Sequence, residues 1–301
     1  MRLAITGGTG FVGSHLLDVA LGAGHRVAAL ARRDQPPRDN LDWIAGDLQD
    51  RNALHRLVDG ADAIIHVAGT INAPNAAAFD KGNVQGTLAM LAAATAGGVR
   101  RFVHVSSLAA REPKLSLYGG SKARAEELVH SSGLDWAIVR PPAVYGPGDR
   151  ETLELFRMAK LGLMLMPPKG RVSVIHADDL ARLLLALAAP AAPSNILIEA
   201  DDGKPGGWSH REFARALAAA VGTRPAIFSS PGILLRAAAH LDQWWRGERA
   251  KLTTDRAAYF SHRNWVVEPK RACPPQLWQS RIETVEGLSQ TADWYREQGW
   301  L

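Results

Sequence analysis

A doubly wound parallel α/β sheet is the fold this sequence predicts, and three observations predict it. Short apolar runs alternate with longer amphipathic ones through the first half of the chain. Runs this short suit strands covered on both faces. A glycine-rich turn, GGTGFVG (7–13), joins the first run to the first helical segment.

The expected strands are LAIT (3–6), RVAAL (26–30), AIIHV (63–67), RFVHV (101–105) and DWAIV (135–139), with helices around 13–22, 50–58, 76–96 and 118–131. Strand–helix alternation at this spacing implies parallel strands joined by right-handed crossovers. VSVI (172–175) and the apolar helix after it (177–189) continue the rhythm. Past residue 190 the texture changes, and seven of the nine tryptophans lie beyond residue 200. Large rings bury much surface per residue, which suits a small lobe with a thin core. The expected division is an α/β domain from 1–145 with 171–193, and a smaller, mostly C-terminal lobe from 146–170 with 194–301.

Composition removes several classes of function. The chain is 47% hydrophobic and 22% charged over 301 residues, so it is neither disordered nor fibrous. Its net charge of +5 comes without a dense basic run, which argues against nucleic-acid binding. A single cysteine, Cys273, leaves no internal disulfide and no cysteine-based zinc site, and no metal is expected. The longest near-continuous apolar stretch, Leu183 to Ala192, is too short to span a bilayer. No basic-then-apolar leader precedes the first strand, so a cytoplasmic protein without integral membrane association is expected.

The glycine turn carries the first chemistry. Gly7, Gly10 and Gly13 allow a tight turn and close backbone approach to a pyrophosphate, and the helix starting near Phe11 and Val12 offers free N–H groups and partial positive charge. Placed between first strand and first helix, the motif predicts a dinucleotide-binding, Rossmann-type domain. NAD sites place an acid at the end of the second strand for the ribose 2′-hydroxyl. Here Ala31, Arg32 and Arg33 stand there, with Asp34 arriving late. Guanidinium groups pair with a 2′-phosphate, so NADP(H) is favoured, with NAD(H) the alternative. Asp47 in GDL (46–48) is placed to accept from the adenine amino group, with Leu48 lining the ring, although Asp47 serves equally well as a helix N-cap. Val67, Ala68 and Gly69 end the fourth strand in small residues, suited to close approach by the nicotinamide ribose.

Catalytic candidates follow the fifth strand. Ser106 and Ser107 precede YGGSK, which places Tyr118 and Lys122 one helical turn apart on one face. A neighbouring ammonium stabilises tyrosinate, with an attraction of roughly 4 kcal/mol at 4 Å before desolvation. The spacing therefore predicts a lowered Tyr118 pKa.

Together these segments resemble the short-chain dehydrogenase/reductase superfamily in its extended branch, which includes the NAD-dependent epimerase/dehydratase-like proteins. The resemblance rests on TGGTGFVG (6–13), GDL (46–48), HVAG (66–69), NVQGT (83–87), HVSS (104–107), YGGSK (118–122), RPPAVYGPGD (140–149), IHADDLA (175–181) and the ending WYREQGWL (294–301). It implies Tyr118 as general acid/base, Lys122 as ribose ligand and partner of Tyr118, and Ser107 as the hydroxyl that polarises the substrate oxygen. It also implies Asn83 near a proton relay, or alternatively packing a helix, with Pro141 and Val144 beside the cofactor. His104 reads as a core histidine, and Asp178 and Asp179 as helix-capping residues. Related enzymes often dimerise through the helix that carries Tyr and Lys, which makes a homodimer possible.

Two departures from the sugar-nucleotide pattern direct the choice of substrate. Ala143 stands where sugar enzymes tend to carry Asn, and Val172 where they often carry Arg; the adjacent Arg171 points to the opposite face of its strand. In their place come apolar segments, LFRMAKLGLMLMPP (155–168) and ILLRAAAHLDQWW (233–245), each either pocket wall or lobe core. The pattern sits nearest the 3β-hydroxysteroid dehydrogenase-like and dihydroflavonol reductase-like members. The expected function is NADP-dependent interconversion of a secondary alcohol and a ketone on an apolar small molecule. The alternatives are a nucleotide-sugar epimerase or dehydratase with retained NAD, and a non-catalytic NADP(H)-binding assembly or sensor protein.

Overall fold

The computed structural model describes residues 1–232, 237, 242, 245 and 254–301. They fall into two units: Met1–Pro141 with Asp178–Glu199 and Arg271–Gln279, and Pro142–Ala177 with Ala200–Lys270 and Ser280–Leu301.

The first unit is built on seven strands: β1 (Arg2–Thr6), β2 (Arg26–Ala31), β3 (Leu41–Ala45), β4 (Ala63–His66), β5 (Arg101–Val105), β6 (Asp135–Arg140) and β11 (Ile196–Glu199). They lie in the order β11-β6-β5-β4-β1-β2-β3, all parallel. Every residue of β4 and β5 is buried, which is why these segments are mostly apolar and show no alternation with solvent-facing residues. Strand order reverses between β1 and β4, so a crevice opens at their carboxyl ends, where open α/β sheets bind ligands. The helices are α1 (Phe11–Gly22), α2 (Arg51–Val58), α3 (Ala76–Phe79), α4 (Gly86–Ala96), α5 (Leu117–His130) and α7 (Ala177–Ala188). Between α3 and α4 the backbone widens into a π-helical stretch, Asp80–Gln85, a distortion frequent at functional sites. Ala4, Leu54, Ile64, Met90 and Phe102 form the centre of one core cluster.

The second unit contains β7 (Ala143–Tyr145), β8 (Leu163–Met166), β9 (Arg171–Val172), β10 (Val174–His176), β12 (Trp208–Ser209), β13 (Ala226–Ser229) and β14 (Asn264–Trp265). Its helices are α6 (Leu153–Lys160), α8 (His210–Val221), α9 (Thr254–Ser261) and α10 (Thr284–Glu297). Its core holds Tyr145, Phe156, Met164, Met166, Leu217, Leu288 and Tyr295, with Trp208 buried in it and Trp294 and Trp300 packed against it. Ser209 and Glu212 close a capping box at the start of α8, and Gly222, at φ +76°, ends that helix in the left-handed conformation.

The sequence-based boundaries differ from the structure at four places: 142–145 fall in the second unit, 271–279 in the first, and two further segments change sides through strand pairing. Residues 196–199, assigned to the smaller lobe, form the edge strand of the large sheet, with Ile196 opposite Ala137. Residues 171–177, assigned to the larger domain, belong to the second unit, where β10 pairs in parallel with β7. Pairing decided both, because neither short apolar run states its neighbour. The 155–168 segment is lobe core at alternate positions of its strand. Met164 and Met166 are buried, whereas Leu163 and Leu165 alternate outward. The 233–245 segment lies outside the described residues except for positions 237, 242 and 245.

Candidate active site

β1 delivers the chain into the glycine turn. Gly7 takes φ +76°, and the Gly10 N–H donates to its carbonyl at 3.0 Å. A Cβ on Gly13 would stand 1.9 Å from that same carbonyl oxygen, and one on Gly7 would stand 2.7 Å from the Ala68 nitrogen. Side chains are therefore excluded where the turn, the helix and the loop after β4 meet. Gly10 caps α1 without a side chain, and the first helical turn contains no acid. The N–H groups of Phe11, Val12 and Gly13 thus lack intrahelical acceptors and form a cradle that fits a dinucleotide pyrophosphate.

A directed chain of hydrogen bonds fixes this corner. The Ala68 N–H donates to Thr6 Oγ1 at 3.2 Å. Thr6 Oγ1 and His66 Nδ1 are 2.7 Å apart, His66 Nε2 and Thr87 Oγ1 are 3.2 Å apart, and Thr87 donates to the Asn83 carbonyl at 2.7 Å. Because the Thr87 proton is committed to Asn83, a neutral His66 donates from Nε2 and accepts from Thr6 at Nδ1. Burial, and secondarily the Lys122 charge, hold His66 neutral by lowering its pKa to about 3. His104 stacks on His66 at 5.5 Å; burial first, then Lys122 and His66, keep it well below the usual histidine range. His104 is a core residue.

Asn83 is 1% exposed on the π-helical stretch. Its amide accepts from the Thr70 N–H at 2.6 Å and donates to the Thr70 carbonyl and to Ser121 Oγ at 2.9 and 2.8 Å. Ser121 donates to the Tyr118 carbonyl at 2.8 Å. Asn83 thus ties the loop after β4 to α5.

Tyr118 and Lys122 stand in the first turns of α5, capped by Ser116, which accepts from the Gly119 N–H at 3.0 Å. A Cβ on Gly119 would be 2.5 Å from the Ala109 carbonyl oxygen, so this glycine lets the loop after β5 lie directly on the helix. That loop carries Ser107, whose side chain accepts from the Ala109 N–H at 3.2 Å and lies near enough to Tyr118 to favour its ionised form. Lys122 Nζ donates to the Val105 carbonyl at 2.7 Å and is 3.7 Å from where a Cβ on Gly69 would stand. Burial lowers the Lys122 pKa to about 8, opposed by the nearby Glu126 carboxylate. The lowered tyrosine pKa expected from the spacing is not found. Burial pushes the Tyr118 phenol up, and only Ser107 acts against it.

Behind the lysine lies a charged network that sequence reasoning missed. Glu126 accepts from Ser106 Oγ at 2.5 Å and from the Arg140 guanidinium at 2.8 and 2.6 Å. Arg140 also faces the fully buried Glu199 at 3.7 Å, and Arg111 faces it at 3.4 Å. One signal was available: Glu126 repeats the Tyr118–Lys122 spacing once more along α5.

The remaining predicted residues are placed as follows. Arg32 and Arg33 follow β2, both exposed and without an ion pair to a described residue. Asp47 is exposed and accepts from the Gln49 N–H at 2.8 Å; the N-cap of α2 is Asp50, whose carboxylate accepts from the Ala53 N–H at 3.0 Å. Leu48 packs on the core cluster. Pro141 is buried at the end of β6, its carbonyl accepting from the Leu108 N–H at 3.0 Å. Val144 lies on β7 in the second unit. Asp178 contacts His15 at 2.5 Å and Asp179 pairs with Arg182 at 2.5 Å.

A model of the NAD dependent epimerase/dehydratase family matches residues 3–198. The chain belongs to that family. Among curated members, it is similar to a protein of Caulobacter vibrioides named ceramide reductase, 38% identical over 99% of this chain and 96% of the relative. It is also similar to the 4-hydroxy-2-methyl-3-oxo-4-farnesyl-3,4-dihydroquinoline-1-oxide ketoreductase of Stigmatella aurantiaca, 30% identical over 96% of this chain and 95% of the relative. Solved structures share the fold. They include gox2253, at TM-score 0.79 and 23% identity over 100% of this chain and 99% of that one. MoeE5 in complex with UDP-glucuronic acid and NAD has a TM-score of 0.74 at 21% identity over 99% of both chains. This epimerase/dehydratase-family chain is an NAD(P)-dependent oxidoreductase of the extended short-chain type. Among its described residues no helix is long and apolar enough to cross a membrane.

Proposed function

We propose that the protein reduces a ketone to a secondary alcohol on a largely apolar small molecule, with NADPH as the favoured cofactor. The observation that supports the chemistry is the placing of Lys122 Nζ beside Gly69 on the loop that abuts the glycine turn, with Tyr118 one turn earlier on α5 and Ser107 next to Tyr118. The cofactor would be held by the N–H cradle of Phe11, Val12 and Gly13, by Arg32 and Arg33 at its 2′-phosphate, and by Lys122 at its ribose. When bound, its nicotinamide supplies the hydride. Ser107 and Tyr118 hydroxyls hold the carbonyl oxygen as negative charge grows there, and Tyr118 then delivers its proton. A phenol kept protonated by burial is in the form this step requires. Lys122 spends one N–H on Val105 and retains two for ribose hydroxyls.

An apolar substrate is supported by what the second unit offers in place of anion ligands. Ala143 provides no polar side chain, and the Arg171 guanidinium is committed to the Gly206 and Gly207 carbonyls at 2.5 and 2.9 Å. Two relatives are named for ceramide and for a farnesyl-bearing dihydroquinoline oxide. A third is named 2-alkyl-3-oxoalkanoate reductase.

The test is a fluorescence titration with NADPH and NADH, followed by a panel of long-chain ketones. The expected result is NADPH binding at least about tenfold tighter, a difference of about 1.4 kcal/mol, reduced to parity in Arg32→Ala/Arg33→Ala. Co-purified NAD together with turnover of a nucleotide sugar would replace this reading with the epimerase one.

A further inference from the structure

The second unit carries an apolar surface that the proposed reaction does not use. β8 and β13 pair only with each other, in parallel, with Leu163 opposite Ala226 and Leu165 opposite Phe228. Alternation puts these side chains on one face of the ribbon and Met164, Met166 and Ile227 on the other. The methionine face is core, whereas Leu163, Leu165 and Phe228 are 55%, 54% and 56% exposed, and Leu161, just before the ribbon, is 84% exposed. Of the ten large apolar side chains exposed among the described residues, these are four. Single exposed leucines need no explanation, but a contiguous group marks an interaction surface.

Charge narrows the partner. Lys160 precedes β8 and Arg224 precedes β13, and parallel pairing brings both to the same end of the ribbon. The Ala226 N–H to Gly162 carbonyl bond, 3.0 Å, and the Thr223 hydroxyl to Ala159 carbonyl bond, 2.8 Å, hold the starts of the two strands together. Lys169 follows the other end of β8. All three cations are exposed, and none forms an ion pair with a described residue. Neither 155–177 nor 213–232, the segments that build the ribbon, contains an Asp or Glu. Against a second copy of itself, such a face would set like charges together. Exposed aliphatic and aromatic side chains bordered by lysine and arginine match the acyl boundary and headgroups of an anionic membrane.

We propose that the β8–β13 ribbon docks this protein on the surface of an anionic lipid bilayer. Leu161, Leu163, Leu165 and Phe228 enter the acyl boundary, and Lys160, Lys169 and Arg224 lie among the headgroups. The inference rests on the ribbon; the apolar-substrate reading supplies its purpose, since a bilayer-resident ketone would be met where it dissolves.

Vesicle co-sedimentation tests it with the full chain, free of cofactor and substrate. The probes are vesicles of phosphatidylcholine alone and of phosphatidylcholine with about one-third phosphatidylglycerol. The expected result is selective binding to the anionic vesicles that weakens as salt is raised. Leu165→Ser/Phe228→Ser and Lys160→Ala/Arg224→Ala should each lower the bound fraction at least about tenfold, with circular dichroism unchanged. No binding to either vesicle, equal binding to both, or undiminished binding by both variants overturns the proposal. So does a dimer in gel filtration that Leu165→Ser/Phe228→Ser splits into monomers. Because sedimentation needs no turnover, a failed ketone panel leaves this result standing, and a failed sedimentation leaves the ketone panel standing.

Discussion

Replacing Lys122 by Met should change how stability depends on pH. Lys122 is 4% exposed, and burial lowers the pKa of its ammonium from 10.5 to about 8. In the unfolded chain it returns to about 10.4. Between those values the unfolded chain binds the proton and the folded one does not, so stability rises with pH across that window. Below the folded value the full cost of burying the charge is present, about 3 kcal/mol at 1.36 kcal/mol per unit of pKa. By about pH 10.5 most of it has been relieved. Methionine keeps a flexible stem of similar reach without the charge. Urea unfolding of both proteins at neutral pH and near pH 10.5 should therefore show the wild type gaining about 3 kcal/mol on the variant as pH rises. A difference that stays constant with pH would refute the reasoning, because Lys122 would then titrate alike in both states.

Tyr118→Phe should keep NADPH affinity in the fluorescence titration and lose about 10²- to 10⁴-fold in turnover; unaltered turnover would take Tyr118 out of the mechanism. Glu126→Gln breaks a buried ion pair and should cost about 3 kcal/mol, seen as a fall of about 6–12 °C in melting temperature. Since the Glu126 charge supports the Lys122 proton, the alkaline limb of the rate should also move to lower pH, and an unmoved limb would confine Glu126 to structure. Gly13→Ala, whose methyl group would collide with the Gly7 carbonyl oxygen, should abolish NADPH binding. Gly22→Ala meets nothing within 4 Å and should leave binding intact, which controls for the helix itself.

The parts of this molecule legible in its sequence are those where one local requirement dominates. The first strands announce themselves because a parallel sheet covered on both faces favours runs of apolar residues. The glycine turn is equally legible, since Gly7 and Gly13 leave no space for a Cβ. What pairing decides stays hidden. β11 is a short run behind a proline-rich stretch, and nothing local says that it lies beside β6 rather than in the smaller unit. Glu126, Arg140 and Glu199 look like solvated surface charges in sequence, and only the fold brings them together. The Tyr118–Lys122 spacing puts both residues on α5 one turn apart, but it predicts a lowered phenol pKa where burial raises it, because spacing carries no information about desolvation. At 155–168 the core role holds for Met164 and Met166 alone, since period-two alternation sends Leu163 and Leu165 to the exposed face.

The one-way chain from Ala68 through Thr6, His66 and Thr87 to Asn83 separates two properties that usually fail together in acid. With a folded pKa of about 3 against 6.5 unfolded, His66 draws stability from the protein as pH falls below 6.5, because the unfolded chain takes up a proton that the folded one refuses. Throughout that interval the imidazole stays neutral in the native state, so no bond in the chain reverses. The glycine turn therefore keeps its shape while the free energy holding it declines. Mild acid should shorten the lifetime of this protein without loosening its grip on a dinucleotide, and an acidic limb in its rate must originate in some group other than this histidine.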